Sequence, residues 1–261
     1  MKTVKDSIYN YPKYYDLVYG SDWQAEIDFF VAVFDRWVEF PVKRVFEPAC
    51  GTGRLLFRLA KMGYQVSGID LNEASIEFCN HRLQRLGLEP TAAIADITDF
   101  QLAEPAHAAF NTINSFRHLV EQQPAINHLR CVANALVPDG VYILGLHLTP
   151  EKGDPITEES WSSQQGHLAV NTTMWLDHGD IDQRYEDYIM RFDVYTPTKQ
   201  FRIEDTVRFR TYTANEFFGL LYEVPELEVI ETYDFSYEID DSITIDPYTE
   251  DVVFVLRKVA T

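Results

Sequence analysis

The sequence predicts an α/β protein: a mostly parallel sheet with helices on both faces, interrupted by an inserted antiparallel meander. Three observations carry the prediction. From residue 44 to residue 148 short apolar runs alternate with helical stripes, a glycine-rich turn joins the first such run to its helix, and after Pro150 the texture changes to long alternating segments. Alternation of strand and helix signals favours parallel βαβ units, whereas long alternating runs joined by tight turns favour antiparallel pairing.

In "DWQAEIDFFVAVFDRWVEF" Ile27, Phe30, Val31, Phe34 and then Trp37 or Val38 fall at three- and four-residue spacing, the stripe of an amphipathic helix, which Pro41 closes. A short strand at "KRVFEPA" leads into the glycine turn. "GRLLFRLAKMG" then places Leu55, Leu56, Leu59 and Ala60 on one helix face, with Gly63 as its C-cap, and "YQVSGIDL" returns as a buried strand. Strand, turn, helix and strand make a βαβ unit with a right-handed crossover. A helix at "NEASIEFCNHRLQRLG", strands at "TAAIAD" and "AHAAFNTI", a helix at "QPAINHLRCVANALV" and a strand at "VYILGLHL" follow. Between the last two, "VPDG" reads as a turn with Gly140 free to take positive φ. "HLAVNTTMWLD", "DIDQRYEDYIMRFDVYT" and "KQFRIEDTVRFRTYT" predict a meander of about three strands. Thr213 and Glu216 form a capping-box pattern before "ANEFFGLLYEV", and "LEVIETYDF" and "EDVVFVLRK" are the last strands. The resulting division is 1–43, an N-terminal lid and helix; 44–149, the core; 150–212, the inserted subdomain; and 213–261, a helix and two strands that complete the core sheet.

At 261 residues the chain is long enough for a full hydrophobic core without staples. Its three cysteines, Cys50, Cys79 and Cys131, lie far apart and match no zinc spacing, so they read as reduced thiols and no metal is expected. There is no apolar run long enough to span a bilayer and no signal-peptide core, which predicts a cytoplasmic protein without membrane attachment. A formal charge of −19 opposes a nucleic-acid backbone, and no local basic patch offsets it.

The glycine turn, "EPACGTGR", decides the ligand class. A phosphate-binding P-loop needs GxxxxGK[ST], but no Lys followed by Ser or Thr stands nearby. A dinucleotide fingerprint would need glycines at 49, 51 and 54, where the chain has Ala49, Gly51 and Arg54. What is present is an acid on the strand, Glu47, a small residue at 49, and glycines at 51 and 53. Asp70 ends the next strand, 23 positions after Glu47, where a carboxylate can accept ribose hydroxyls.

In this pattern the chain resembles the class I S-adenosylmethionine-dependent methyltransferases, whose first motif has the form (D/E)xGxGxG and whose small-molecule members often read "ACGTG". The resemblance covers residues 44–148 and implies a Rossmann-like, seven-stranded sheet with S-adenosylmethionine as cofactor and S-adenosylhomocysteine as product. It also implies cofactor contacts from Glu47, Ala49, Gly51, Gly53, Asp70, Leu71, Asp96 and Ile97, with Asn114 at the end of the fourth strand. The "YYDLVY" run is similar to the lid of small-molecule N-methyltransferases, including those acting on amino sugars, and offers Tyr15 and Tyr19 for closing over a sulfonium.

The methyl acceptor is less legible. The fourth strand opens with Ala106 and His107 where small-molecule members often have Phe-Asp, and the (N/D)PP(Y/F) signature of base-methylating enzymes is absent. His118 and His147, at the carboxyl ends of successive strands, are candidate bases. Phe116, Trp175, Arg210 and Tyr212 are candidate pocket residues, and in the resembled family the inserted sheet roofs the acceptor pocket or makes a homodimer contact. The leading expectation is methyl transfer to nitrogen or oxygen of a small molecule by in-line displacement. A cofactor-binding protein that has lost acceptor chemistry, and an RNA or protein methyltransferase, are the alternatives.

Overall fold

The computed structural model describes residues 1–259 apart from 22 and 154. An edge strand, β1 (Lys2–Lys5), leads through a 3-10 turn (Ile8–Asn10) to α1 (Pro12–Tyr19) and α2 (Trp23–Trp37). The core then builds as β2 (Arg44–Pro48), α3 (Leu56–Lys61), β3 (Gln65–Asp70), α4 (Glu73–Gln84), β4 (Ala92–Ile94), β5 (Ala106–Asn111), α5 (Gln122–Ala135) and β6 (Leu136–His147). Four long strands follow, β7 (Glu158–Gln165), β8 (Leu168–Asp180), β9 (Tyr185–Tyr195) and β10 (Gln200–Arg210), and the chain closes with α6 (Ala214–Tyr222), β11 (Leu227–Tyr233) and β12 (Asp251–Lys258).

The main sheet has seven strands in the order β11-β12-β6-β5-β2-β3-β4. β2 through β6 run parallel, whereas β12 pairs antiparallel with β6 and β11 with β12. Strand order reverses between β2 and β5: the chain steps outward from β2 to β3 and β4, then crosses back to the other side. Ligands in open α/β sheets bind in the crevice at the carboxyl ends of the strands flanking such a switch point. Those ends carry the glycine turn after β2 and the segment Ile113–His118 after β5.

Alternation along the parallel strands feeds two cores. Phe46, Ala109, Tyr142 and Leu144 face α5 and α6, through residues such as Leu129 and Phe217. Val45, Ala108, Phe110 and Ile143 face α2, α3 and α4, through Phe30, Leu56 and Cys79. β2, β5 and the stretch of β6 from Gly140 to Leu146 are almost wholly buried, as expected of a sheet covered on both faces.

Local signals explain most element ends. Asn72 caps α4 by accepting the backbone N–H of Ser75, and Thr213 with Glu216 closes the capping box on α6. Gly63, at φ 96°, follows the C-cap of α3. Two readings of the sequence differ from the structure. In "VPDG" the left-handed residue is Asp139, at φ 61°, while Gly140 is required because a Cβ there would lie 2.9 Å from the carbonyl oxygens of His107 and Val137. The meander has four strands rather than about three, because β7 is polar and largely exposed and so lacks an apolar alternation to announce it.

β1 pairs parallel with β10, making a second sheet ordered β1-β10-β9-β8-β7. Ile8 and Val18 of the N-terminal segment pack on its inner face with Val170, Met190, Phe192 and Ile203. The tyrosine-rich lid is thereby anchored to the inserted sheet, and the two together overhang the switch point.

Candidate active site

The turn after β2 takes three left-handed residues, Ala49 (φ 55°), Gly51 (φ 50°) and Gly53 (φ 64°). Asp70 holds its shape from the neighbouring strand: one carboxylate oxygen accepts the Gly51 N–H and the other the Asn72 N–H, both at 2.8 Å. Each oxygen keeps a lone pair for a ligand. Gly53 is a glycine for packing, since a Cβ at that position would sit 2.3 Å from Cys79 Sγ on α4.

This turn, with Asp70, Leu71, Asp96 and Ile97, lines a cavity of about 720 Å³ that Tyr9 and Tyr15 close from the lid side. Leu71 stands 67% exposed at its mouth, an apolar side chain with nothing of the chain over it. Asp96 Oδ1 accepts both the backbone N–H and the hydroxyl of Thr98, which fixes the carboxylate against the wall. Behind the turn, Glu47 and Asn111 are buried, and Glu47 Oε2 and Asn111 Oδ1 have no partner among the described residues. Burial pushes the Glu47 carboxyl well above the ordinary carboxylate range, against the opposing pull of Arg54.

His128 braces the same cavity from below. Its Nδ1 contacts the Ile97 carbonyl at 3.0 Å and its Nε2 the Tyr142 hydroxyl at 2.9 Å. A carbonyl can only accept, so Nδ1 carries the proton and Nε2 accepts from Tyr142. Burial pulls this imidazole down to about 4, against the smaller raising effects of the Ile97 carbonyl and Asp96. The unfolded chain, with an ordinary imidazole, therefore takes up a proton as pH falls through about 6.5 while the folded chain does not. Stability should drop progressively between pH 6.5 and 4, by about 3 kcal/mol from this residue, and flatten below that. Urea unfolding of the wild type and of His128→Gln across this window tests it: the variant keeps a donor and an acceptor but has no titration, so its curve should be shallower.

On the other side of the switch point Asn114 takes φ 51° and its Oδ1 accepts the His147 N–H at 2.9 Å, tying the ends of β5 and β6 together. The 3-10 turn Ser115–His118 then carries His118 inward. His118 Nε2 lies 2.9 Å from the Tyr9 hydroxyl, and its ring packs 4.9 Å from that of Phe209. The His118 ring keeps surface open to the cavities, yet desolvation by the protein packed around it, and less strongly Arg117, pull it down to about 4, so it is neutral at physiological pH. A second, smaller cavity of about 150 Å³ opens here, reaching Tyr19, Asn114, His147 and Trp161. Tyr9, Tyr15, Ile113 and His118 line both cavities and form the wall between them. His147 pairs with Asp251 and packs edge-on against Phe235.

Four residues singled out as pocket candidates line neither cavity. Phe116 is fully buried against His128, Tyr212 and Phe217. Arg210 is buried with its guanidinium on the Val120 carbonyl at 2.7 Å, 5.3 Å from the ring of Tyr212, itself a core residue. Trp175 carries Arg191 over its ring at 4.7 Å, outside the cavity, and Trp161 takes the place it was expected to hold. Alternation says that residues share a face but not which face turns toward the ligand. Tyr9, not singled out in the sequence among the N-terminal tyrosines, lines both cavities as Tyr15 does and meets His118.

Residues 45–140 match the family described as "Methyltransferase domain". The chain is 24% identical over 200 residues to the protein named "Putative methyltransferase YqeM" of Bacillus subtilis (strain 168), covering 73% of this chain and 78% of that one. With a methyltransferase domain over residues 45–140, this is an S-adenosylmethionine-dependent methyltransferase. Among solved structures, the methyltransferase resembles an S-adenosylmethionine-dependent methyltransferase from Clostridium acetobutylicum ATCC 824, with TM-score 0.78, 16% identity and coverage of 95% and 97% of the two chains. It also resembles CalS10, an amino pentose methyltransferase from Micromonospora echinaspora solved with its cofactor, with TM-score 0.73, 17% identity and coverage of 99% and 100%. The residues present fit this cofactor: Asp70 has two oxygens that ribose hydroxyls would meet, Leu71, Ile97 and Asp96 line the place an adenine would take, and behind the turn lie the oxygens of Glu47 and Asn111 that have no partner among the described residues. Among the described residues no cluster of His, Cys, Asp and Glu could hold a metal, and no helix is long and apolar enough to cross a membrane.

Proposed function

We propose that this methyltransferase modifies a nitrogen of a small molecule held in the smaller cavity. The observation that carries the reading is the shared wall: Tyr9, Tyr15, Ile113 and His118 line both cavities, so a donor in one and an acceptor in the other meet across these four side chains. S-adenosylmethionine, when bound, supplies a methyl group already activated by the sulfonium charge. The chain's own part is to seat the acceptor in line with that methyl, to exclude water and to receive a proton. Aromatic faces of Tyr9, Tyr15 and Tyr19 attract a cation, by up to about 2 kcal/mol when desolvated. Neutral His118 can take the proton that an amine sheds after methylation, directly or through the Tyr9 hydroxyl. Likeness in fold to KedS8, a sugar N-methyltransferase from Streptoalloteichus sp ATCC 53650, supports nitrogen over oxygen, and the charge of −19 supports a small acceptor over a nucleic acid. Three free cysteines agree with work in the cytoplasm.

The test is calorimetric titration with the cofactor, followed by a screen of amines, amino sugars and phenols for methyl transfer. Methylation of phenols alone overturns the nitrogen assignment, and cofactor binding without turnover on any acceptor overturns the catalytic reading. Because the leaving group is already activated, positioning supplies most of the acceleration, and His118→Ala should lower kcat only about tenfold with cofactor affinity unchanged. A loss of a thousandfold or more would instead make His118 an obligatory base.

A further inference from the structure

We infer that the acceptor of this methyltransferase carries a second amine in its protonated form, and that Glu159 and Glu250 hold this ammonium group at the far side of the smaller cavity. The inference rests on the proposal of a small nitrogen acceptor and narrows it to a compact diamine, excluding acceptors that bear phosphate.

The walls of the cavity divide into two ends. At the end shared with the cofactor cavity stand Tyr9, Tyr15 and His118. Toward the inserted sheet stand Tyr188, Glu159, Glu186 and Glu250. One of these carboxylates is already satisfied: Glu186 Oε2 accepts from Arg117 Nη2 at 2.6 Å. Glu159 and Glu250 make no ion pair among the described residues. A separate observation points to a ligand at this end. Tyr188 is only 8% exposed and lines the cavity, yet its hydroxyl has no hydrogen-bond partner among the described residues. Burial first, and then Glu186, Glu250 and Glu159, push its phenol up to about 12, so it is a neutral hydroxyl free to accept an N–H. A hydroxyl that opens on the cavity without a protein partner is free to meet one on a ligand. Two carboxylates, an acceptor hydroxyl and the aromatic pair Tyr19 and Trp161, whose rings lie 5.9 Å apart, are the chemistry that recognises an ammonium group.

Among the described residues the same walls offer no uncommitted cationic group to an anion. Arg117 is the one arginine on them, and it is committed: Nη2 to Glu186, Nε to the Arg210 carbonyl at 2.9 Å, and its guanidinium 5.2 Å from the Phe209 ring. His147 is engaged by Asp251 and His118 is neutral. Size agrees with charge. A cavity of about 150 Å³ matches a molecule of benzene's size.

The experiment is calorimetry on the full chain loaded with S-adenosylhomocysteine, whose own binding is measured first. The probes are 1,4-diaminobutane, 1-aminobutane and uridine diphosphate glucosamine, on the wild type and on Glu159→Gln, Glu250→Gln and the double variant. The diamine should bind at least about tenfold more tightly than the monoamine, an advantage that each single variant reduces and the double variant abolishes, with S-adenosylhomocysteine affinity unchanged throughout. Equal binding of the two amines, binding of neither, or tighter binding of the phosphate-bearing sugar than of the diamine overturns the inference. Failure of S-adenosylhomocysteine itself to bind would instead undercut the methyltransferase reading on which it stands, so the two failures are told apart in one series.

Discussion

Arg54→Met is expected to destabilise the chain by about 3–5 kcal/mol, seen as a lowered urea midpoint with an unchanged slope, because it strands a buried carboxylate. Arg54 closes the glycine turn and reaches back under it. Its Nη2 donates to Glu26 Oε1 at 2.7 Å and its Nη1 to Glu26 Oε2, a bidentate fork, and the Thr112 hydroxyl donates to Glu26 Oε1 at 2.6 Å. Arg54 and Glu26 are both nearly inaccessible to solvent, at 8% and 4% exposure. At such burial the attraction within the pair is offset by the desolvation of both charges, so the pair itself adds little net stability. Removing one partner is different: the other charge stays behind with no counterion. Glu26→Leu combined with Arg54→Met should therefore recover most of the loss, short of full recovery because the Thr112 hydroxyl then lacks an acceptor. If the double variant proved no better than Arg54→Met, the cost would lie in packing rather than charge. The location of the pair also matters for function. It joins α2, the glycine turn and the end of β5, the parts of the chain that set the two cavities side by side, and Arg54→Met should weaken cofactor binding as well as the fold.

Much of this arrangement is written locally. Glu47, Ala49, Gly51, Gly53 and Asp70 are separated by fixed, short stretches of chain, and the chemistry of a left-handed turn against a strand-end carboxylate needs little else. The βαβ alternation, the capping box at Thr213 and Glu216, and the left-handed Gly63 just past the C-cap of α3 are local in the same sense. The acceptor side is assembled from distant parts. Tyr9 meets His118 across 109 positions of sequence, and the pairing depends on β1 adding to the edge of β10, which a four-residue strand of mixed character does not announce. Phe116, Arg210 and Tyr212 illustrate the complementary limit. Arg208, Arg210 and Tyr212 alternate as a strand should, but alternation is symmetric between the two faces of a sheet. Whether Arg210 points at a ligand or at the Val120 carbonyl is settled by how the inserted sheet docks on the core, and no spacing in the sequence encodes that. The charge of the acceptor cavity is hidden for the same reason: Glu159 and Glu250 come from the inserted sheet and the approach to the last strand, and a chain with so many acidic residues gives no cause to single out two.

Asp70→Asn should weaken cofactor binding by about a hundredfold, although the substitution changes almost no volume, since hydrogen bonds to a charged group are worth about 1.5–3 kcal/mol. Both carboxylate oxygens are engaged by backbone donors, the Gly51 N–H on one and the Asn72 N–H on the other. An amide has one oxygen. Whichever way the side chain turns, its NH₂ faces a backbone N–H, and one of the two strand-end contacts becomes a donor meeting a donor. If the Gly51 contact is lost, the turn is no longer held against β3 and the left-handed conformation of Gly51 loses its support. If the Asn72 contact is lost, the cap of α4 loosens instead. A ribose would in either case meet one acceptor fewer and no charge. The consequence for stability distinguishes the two roles of this carboxylate. Should unfolding free energy fall by about 1–3 kcal/mol together with affinity, Asp70 acts largely by shaping the turn. Should affinity fall a hundredfold with the urea midpoint unmoved, the charge acts on the ligand directly. The two backbone contacts at 2.8 Å favour the first outcome, because a group already accepting from both neighbours cannot be altered for the ligand alone.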